Sequence, residues 1–216
     1  MASIMEIEQR LSQIKSILNK KRNKIDQEMC DLIDERRILN RKVSLMKGEE
    51  TAIPIKTTFP QDVGAPLPHV VSNGYKTYLL YYIGTSNPDW DESTNIIHVL
   101  DPQSKDYVAL IQFERCYSIR FGGVNDEVLH GHPLYEHGLE GYEMHEIKNS
   151  SWINEQKKIN SVHSNFKQEL WDARKHYIFT FHDDIFECIA NEYVVQVFRG
   201  KLSSVMLLAN EMLFSG

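Results

Sequence analysis

Residues 3–47 contain neither glycine nor proline, and apolar side chains recur through them at every seventh position: Ile4, Leu11, Leu18, Ile25, Leu32, Leu39 and Met46. Companions fall between these, Ile7 and Ile14 early, Met29 and Val43 late. A seven-residue apolar period marks a helical stripe of coiled-coil character. The companion offset shifts from three to four residues across the polar stretch Asn19–Lys24, which reads as a stutter or a break. Ser3 with Glu6 forms a capping-box pattern at the start, and Gly48 is a natural stop. A continuous helix of this span measures about 65 Å at 1.5 Å per residue. One small domain cannot cover a stripe of that length. The expected answer is self-pairing into a homodimer through Leu11, Leu18, Ile25, Leu32 and Leu39; folding back as a hairpin is the alternative.

Beyond Gly48 the character changes. The expected organisation is an N-terminal dimerisation helix over 1–48, a proline-containing linker over 49–61 and an α+β domain over 62–216. Within that domain Tyr75–Ile83, Ile96–Leu100, Tyr107–Phe113 and Arg115–Phe121 read as strands, with an exposed loop at Asn87–Thr94. His176–His182 and Ile185–Ala190 read as a hairpin turned at Asp183–Asp184, followed by a third strand, Tyr193–Phe198. Ser151–Phe166 has helical character, and Leu202–Phe214 is an amphipathic C-terminal helix. The fold class is therefore α+β: a long N-terminal helix, then a mainly antiparallel β domain closed by a helix. Its core is expected where Leu79, Tyr81 and Ile83 meet Phe179, Phe181, Ile189 and the C-terminal helix.

Charge and cysteines narrow the function classes. A net charge of -6 argues against a general nucleic-acid binder, which needs cations for phosphates. Cys30, Cys116 and Cys188 are an odd number with no close pair, so neither a disulfide framework nor a cysteine-rich zinc site is expected. The N-terminus lacks a signal-peptide pattern, and no apolar run approaches the roughly 20 residues of a membrane span. A cytoplasmic location without a membrane partner follows as the expectation.

Residues 122–148 are rich in Gly, His and Glu and carry little periodicity, as long functional loops do. His130, His132 and His137 lie within eight residues, and imidazoles so spaced are candidate ligands for a divalent metal such as Zn²⁺ or Fe²⁺. The His132-Pro133 pair reads equally as a rigid turn. His182 and Glu187 flank the predicted hairpin tip, where a His/Glu pair facing one pocket suits acid–base chemistry.

Two resemblances add to this reading. Ile25-Asp26 through Glu35-Arg36-Arg37, then Val43 and Lys47, resembles the first helix of AroQ-type chorismate mutases and isochorismate-pyruvate lyases. That resemblance implies that Arg36 and Lys47 bind substrate carboxylates, and that such helices pair. It stops at Pro54: Asn19 stands where the family has an arginine, and strands follow in place of further helices. The second resemblance covers most of 64–214. Asn125-Asp126-Glu127, Gly131-His132-Pro133-Leu134-Tyr135, Asn149-Ser150-Ser151-Trp152 and Phe179-Thr180-Phe181-His182-Asp183 look like a family of uncharacterised bacterial proteins. It implies a domain boundary without an activity.

The expected function is that of a dimeric binding protein. Asn125, Asp126, Glu127, His132, Tyr135, Asn149 and Trp152 line a polar pocket for a small molecule or peptide. The alternative is an enzyme, using a metal at His130/His132/His137 or acting on a chorismate-like metabolite through Arg36 and Lys47.

Overall fold

The computed structural model describes residues 3–21, 26–57, 59–84 and 97–215. The expected helix over 1–48 is two helices, α1 (Ile4–Lys20) and α2 (Gln27–Lys47). They lie antiparallel, tied by Arg10 to Glu35 at 2.6 Å and by Lys47 to Glu8 at 2.8 Å. The hairpin alternative therefore replaces the continuous helix, and the reason is burial. Folding back covers Ile7 and Ile14 of α1 and Leu32 and Val43 of α2 within one chain. Ile25, expected in the stripe, lies outside the described residues. The predicted capping box forms: Ser3 accepts from Glu6 N–H while the Glu6 carboxylate accepts from Ser3 N–H. Asp26 caps α2 in the same way, accepting from Met29 N–H, and Gly48 ends it at φ +70.

The stretch expected as a linker contributes a strand. β1 (Thr51–Pro54) pairs antiparallel with β7 (Met144–Lys148), so this segment is tied into a sheet. The remaining strands are β2 (His69–Ser72), β3 (Thr77–Tyr82), β4 (Ile97–Val99), β5 (Tyr107–Glu114), β6 (Ser118–Gly122), β8 (Lys175–Thr180), β9 (Ile185–Ala190) and β10 (Glu192–Arg199). They form two five-stranded sheets, β1-β7-β8-β9-β6 and β2-β3-β5-β10-β4. Among the described residues all strand pairings are antiparallel except β10 with β4. The β8–β9 hairpin forms as predicted, with Phe181 N–H donating to Asp184 O across the turn. Its expected third strand, β10, crosses instead to the other sheet and pairs with β5. The loop expected at Asn87–Thr94 lies outside the described residues.

Alternation along the strands places the core. Leu79, Tyr81, Ala109, Ile111 and Phe113 face Tyr177, Phe179, Phe186, Cys188 and Ala190 between the two sheets. The opposite face of β3 and β5, Tyr78, Leu80, Val108 and Leu110, is covered by α5 (Leu202–Phe214) through Val205, Ala209 and Leu213. Thus the C-terminal helix packs on the other side of β3 from Tyr81, a correction to the expected core. Ile189 is also displaced from that core: it pairs with His176 on the outer side of its sheet. Two short helices, α3 (Ser151–Asn160) and α4 (Gln168–Asp172), and two 3-10 turns, Asp126–Gly131 and Tyr135–His137, complete the elements among the described residues. Leu129, Leu134 and Leu139 of the 122–143 loop cover Ala52, Ile147, Ile178 and Ile185 on the outer face of the β1-β7-β8-β9-β6 sheet.

α2 locks against that loop at Gly138. The Arg41 guanidinium donates to Gly138 O at 3.1 and 3.2 Å and pairs with Glu140, while Ser44 Oγ meets His137 Nδ1 at 2.9 Å. Gly138 sits at φ +96, and a Cβ there would lie 2.3 Å from Arg41 Cγ and 2.8 Å from Ala52 O. Gly138→Ala is expected to cost about 2 kcal/mol through backbone strain and overpacking. A urea denaturation midpoint checks this; an unchanged midpoint would show that the α2–loop contact yields freely.

Candidate functional site

Polar residues gather at two places on the outer side of the β1-β7-β8-β9-β6 sheet. The first is at the tip of the β8–β9 hairpin. Asn125 Oδ1 accepts from Val128 N–H and starts the first 3-10 turn, while Asp126 N–H donates to His182 O at 2.9 Å. This backbone bond brings the Asp126 carboxylate to His182 Nδ1, 3.0 Å away. Tyr142, held at φ +60, donates its hydroxyl to Asp126 Oδ2 at 2.5 Å and lies 2.8 Å from His182 Nδ1. A phenol has one proton, and here it goes to the carboxylate. Nδ1 of His182 therefore carries a proton of its own, and Nε2 lies 4.0 Å from Asp183 Oδ1 at the turn. Hydrogen bonds from Tyr142 and then His182 hold Asp126 below the usual carboxylate range, and the same bond raises Tyr142 to about 12.

Asp126 and Tyr142 border an open cavity of about 360 Å³ together with Arg37, His130 and Tyr135. Arg37 supplies a cation to it from α2, itself paired with Asp34 at 3.2 Å and Glu140 at 3.3 Å. We expect Tyr142→Phe to move the Asp126 titration upward. Carboxyl-carbon NMR of the two proteins checks this, and an unmoved titration would mean that the phenol does not hold the carboxylate.

The second group lies one strand repeat further along. Ser150 caps α3, accepting from Ile153 N–H at 3.1 Å, and gives its own proton to His176 Nδ1 at 2.9 Å. Nε2–H of His176 is then free to donate to Glu187 Oε2 at 3.0 Å. Trp152 packs edge-on against His176, and the Arg120 guanidinium covers the Trp152 ring at 4.0 Å while lying 3.8 Å from Glu187. Burial alone raises Glu187. The His176 hydrogen bond, with charge from His176, Arg120 and His132, overcomes that and leaves it below the usual range. Burial lowers His132, whose Nδ1 accepts from Leu134 N–H at 3.1 Å.

The structure thus divides the predicted site residues. Asp126, Tyr135, His130 and His182 gather at the first place. His132, Trp152 and Glu187 gather at the second, beside Ser150. His182 and Glu187, expected to face one pocket, serve different partners, because Glu187 points to the sheet's outer face two rungs away from the turn. Asn149, at φ +55, donates to Glu49 O, and Glu127 is exposed with its carbonyl accepting from His130 Nδ1. The three candidate metal ligands diverge: His130 bonds Glu127 O, His132 bonds Leu134 N–H, and His137 bonds Ser44. Among the described residues no group of three His, Cys, Asp or Glu side chains is placed to hold a metal. Lys47 is bonded to Glu8, whereas Arg36 lines a separate cavity with Lys15 and Asn40, so the expected carboxylate clamp is not drawn to one ligand.

Tyr142, His176 and Arg120 were not singled out from the sequence. Strand alternation places His176, Ile178 and Glu187 on one face once the hairpin register is known, so His176 was recoverable. Tyr142 follows Gly141 in an aperiodic loop and left no signal.

The fold and site define a two-sheet α+β protein with a polar, histidine-bearing surface under a long loop. Compared with models of protein families, with curated proteins and with solved structures, the chain matches none. Among the described residues no helix is long and apolar enough to cross a membrane.

Proposed function

We propose that the protein binds a small polar molecule or a peptide end in the cavity between α2 and the 122–143 loop. The observation that carries this reading is the convergence of Arg37, Asp126, His130, Tyr135 and Tyr142 on one open cavity of about 360 Å³. A guanidinium, a carboxylate and two phenols offer both donors and acceptors around an apolar floor at Leu129, the usual make-up of a ligand site. Saturation-transfer NMR of the full chain with a mixture of small amino, hydroxy and carboxylic acids tests it. Tyr135→Phe and Arg37→Ala should remove the signals of any binder while the melting temperature stays within a few degrees. Signals unchanged in both variants, or none at all, would overturn the assignment.

A second reading, acid–base catalysis, is favoured by one observation. Asp126 meets Nδ1 of His182, the arrangement that leaves Nε2 available as a proton acceptor. On this reading His182 is the base, and His182→Gln abolishes turnover while retaining binding.

Self-association remains part of the proposal, because Ile38, Leu45 and Met46 stay exposed along α2. Sedimentation velocity decides it. Three free thiols fit a reducing cytoplasm.

A further inference from the structure

A different cavity, of about 760 Å³, opens where β7 runs into α3 and where the chain leaves α4 for β8. Its wall carries the cations Lys148, Lys157, Arg174 and Lys175 against the carboxylates Glu146 and Asp172. Both carboxylates are already taken: Glu146 pairs with Lys148, and Asp172 pairs with Lys157 at 2.6 Å. Among the described residues, Arg174 and Lys175 have no ion-pair partner, so the cavity is positive in a chain whose net charge is -6.

Arg174 is the unusual member. Its guanidinium lies against the rings of Tyr117, at 4.2 Å, and Trp171, at 3.9 Å, and those rings meet edge-to-face at 4.8 Å. These ring contacts restrain the guanidinium without using its N–H groups. Nη1 is buried and has no hydrogen-bond partner. A buried donor without a partner is a standing cost, and because Nη1 is out of reach of solvent a ligand in the cavity meets the guanidinium through its other nitrogens. The N-terminus of α3 borders the same cavity, but Glu50 already accepts from Ser151 N–H at 2.8 Å and from its hydroxyl at 2.9 Å. The positive character therefore rests on side chains.

We propose that this cavity is an oxyanion site for a phosphate-bearing small molecule, with Arg174 as the fork that grips the phosphate and Lys175 as a supporting charge. A planar guanidinium already immobilised on aromatic faces loses little freedom on binding and matches two phosphate oxygens at once. The site is separate from the cavity beside Asp126 and does not depend on a ligand there.

Isothermal titration of the full chain with inorganic pyrophosphate at low ionic strength tests the proposal, with citrate as the carboxylate arm. One equivalent of pyrophosphate should bind. Arg174→Lys, which keeps the charge and loses the fork, should weaken binding at least tenfold, and Lys175→Ala several-fold. Far-UV circular dichroism of each variant confirms that it is folded. No heat with pyrophosphate at millimolar concentration would overturn the proposal, as would binding that Arg174→Lys leaves intact. Citrate binding more tightly than pyrophosphate would overturn the phosphate assignment in favour of a polycarboxylate.

Discussion

Phe113→Ala is expected to lower stability by about 3–5 kcal/mol. Phe113 is 1% exposed at the centre of the space between the sheets. Its ring meets Phe186 at 5.3 Å, Tyr177 at 5.9 Å, Phe179 at 6.0 Å and Tyr193 at 6.4 Å, drawing on β8, β9 and β10 together. Truncation removes the transfer energy of the ring and leaves a cavity that four other aromatic rings cannot fill without leaving their own rotamers. Domains of ordinary stability hold only about 5–15 kcal/mol, so the variant should sit near the edge of folding. Urea denaturation measures it, with Val162→Ala as the control; Val162 is 90% exposed, and its loss should stay within about 0.5 kcal/mol. A midpoint for Phe113→Ala close to that of the control would mean that the two sheets do not share one core.

Glu187→Ala should cost about 3 kcal/mol near neutral pH. The carboxylate accepts from His176 at 3.0 Å and lies 3.8 Å from Arg120, with its side chain only 15% exposed. Removing it strands a buried imidazole N–H whose other nitrogen is committed to Ser150. The pH dependence follows from the direction of the shift. Glu187 is held below its ordinary value, so its charge stabilises the fold above the unfolded carboxyl range. That contribution drains away as pH falls through the depressed folded value. The stability gap between wild type and Glu187→Gln should therefore narrow as pH is lowered from 7 to about 3. A gap that stays constant over that range would mean that Glu187 carries no charge-dependent stabilisation.

His145 is the opposite case. It is fully buried on β7, and burial, assisted by the nearby Arg41 charge, pushes it down to about 3. It is neutral near pH 7, and its Nε2 accepts from Glu140 N–H at 3.3 Å. A histidine in a loop rich in histidines invites a functional reading from sequence.

Local pattern carried much of the fold. The capping box at Ser3, the stop at Gly48, the β8–β9 hairpin and the Leu202–Phe214 helix all rest on interactions within a few residues, and each forms where the pattern puts it. Period-two alternation also placed Leu79 and Tyr81 opposite Phe179 and Phe181. What local pattern left open was which distant surface covers the helices and the first strand. The apolar stripe of residues 3–47 demands a cover, but a heptad pattern is satisfied equally by a second chain and by the same chain returning. β1 was hidden because four residues with a proline carry too little alternation, and its pairing with β7 comes from about 90 residues away.

The candidate site shows the same division. Residue types alone marked Asp126, His132, Trp152, His182 and Glu187 as chemistry-bearing, because polar and ionisable side chains interrupt an otherwise apolar pattern. Which of them meet was decided by sheet register and by the path of the 122–143 loop. Asp126 reaches His182 across 56 residues, and Ser150 reaches His176 across 26. The sequence by itself determined the local elements and the polar residues that had to be accommodated, since those depend on neighbours along the chain. The tertiary structure alone decided that the helices fold back, that the histidines part company, and that Arg174 is left with an unfilled donor, since those depend on which distant surfaces bury one another.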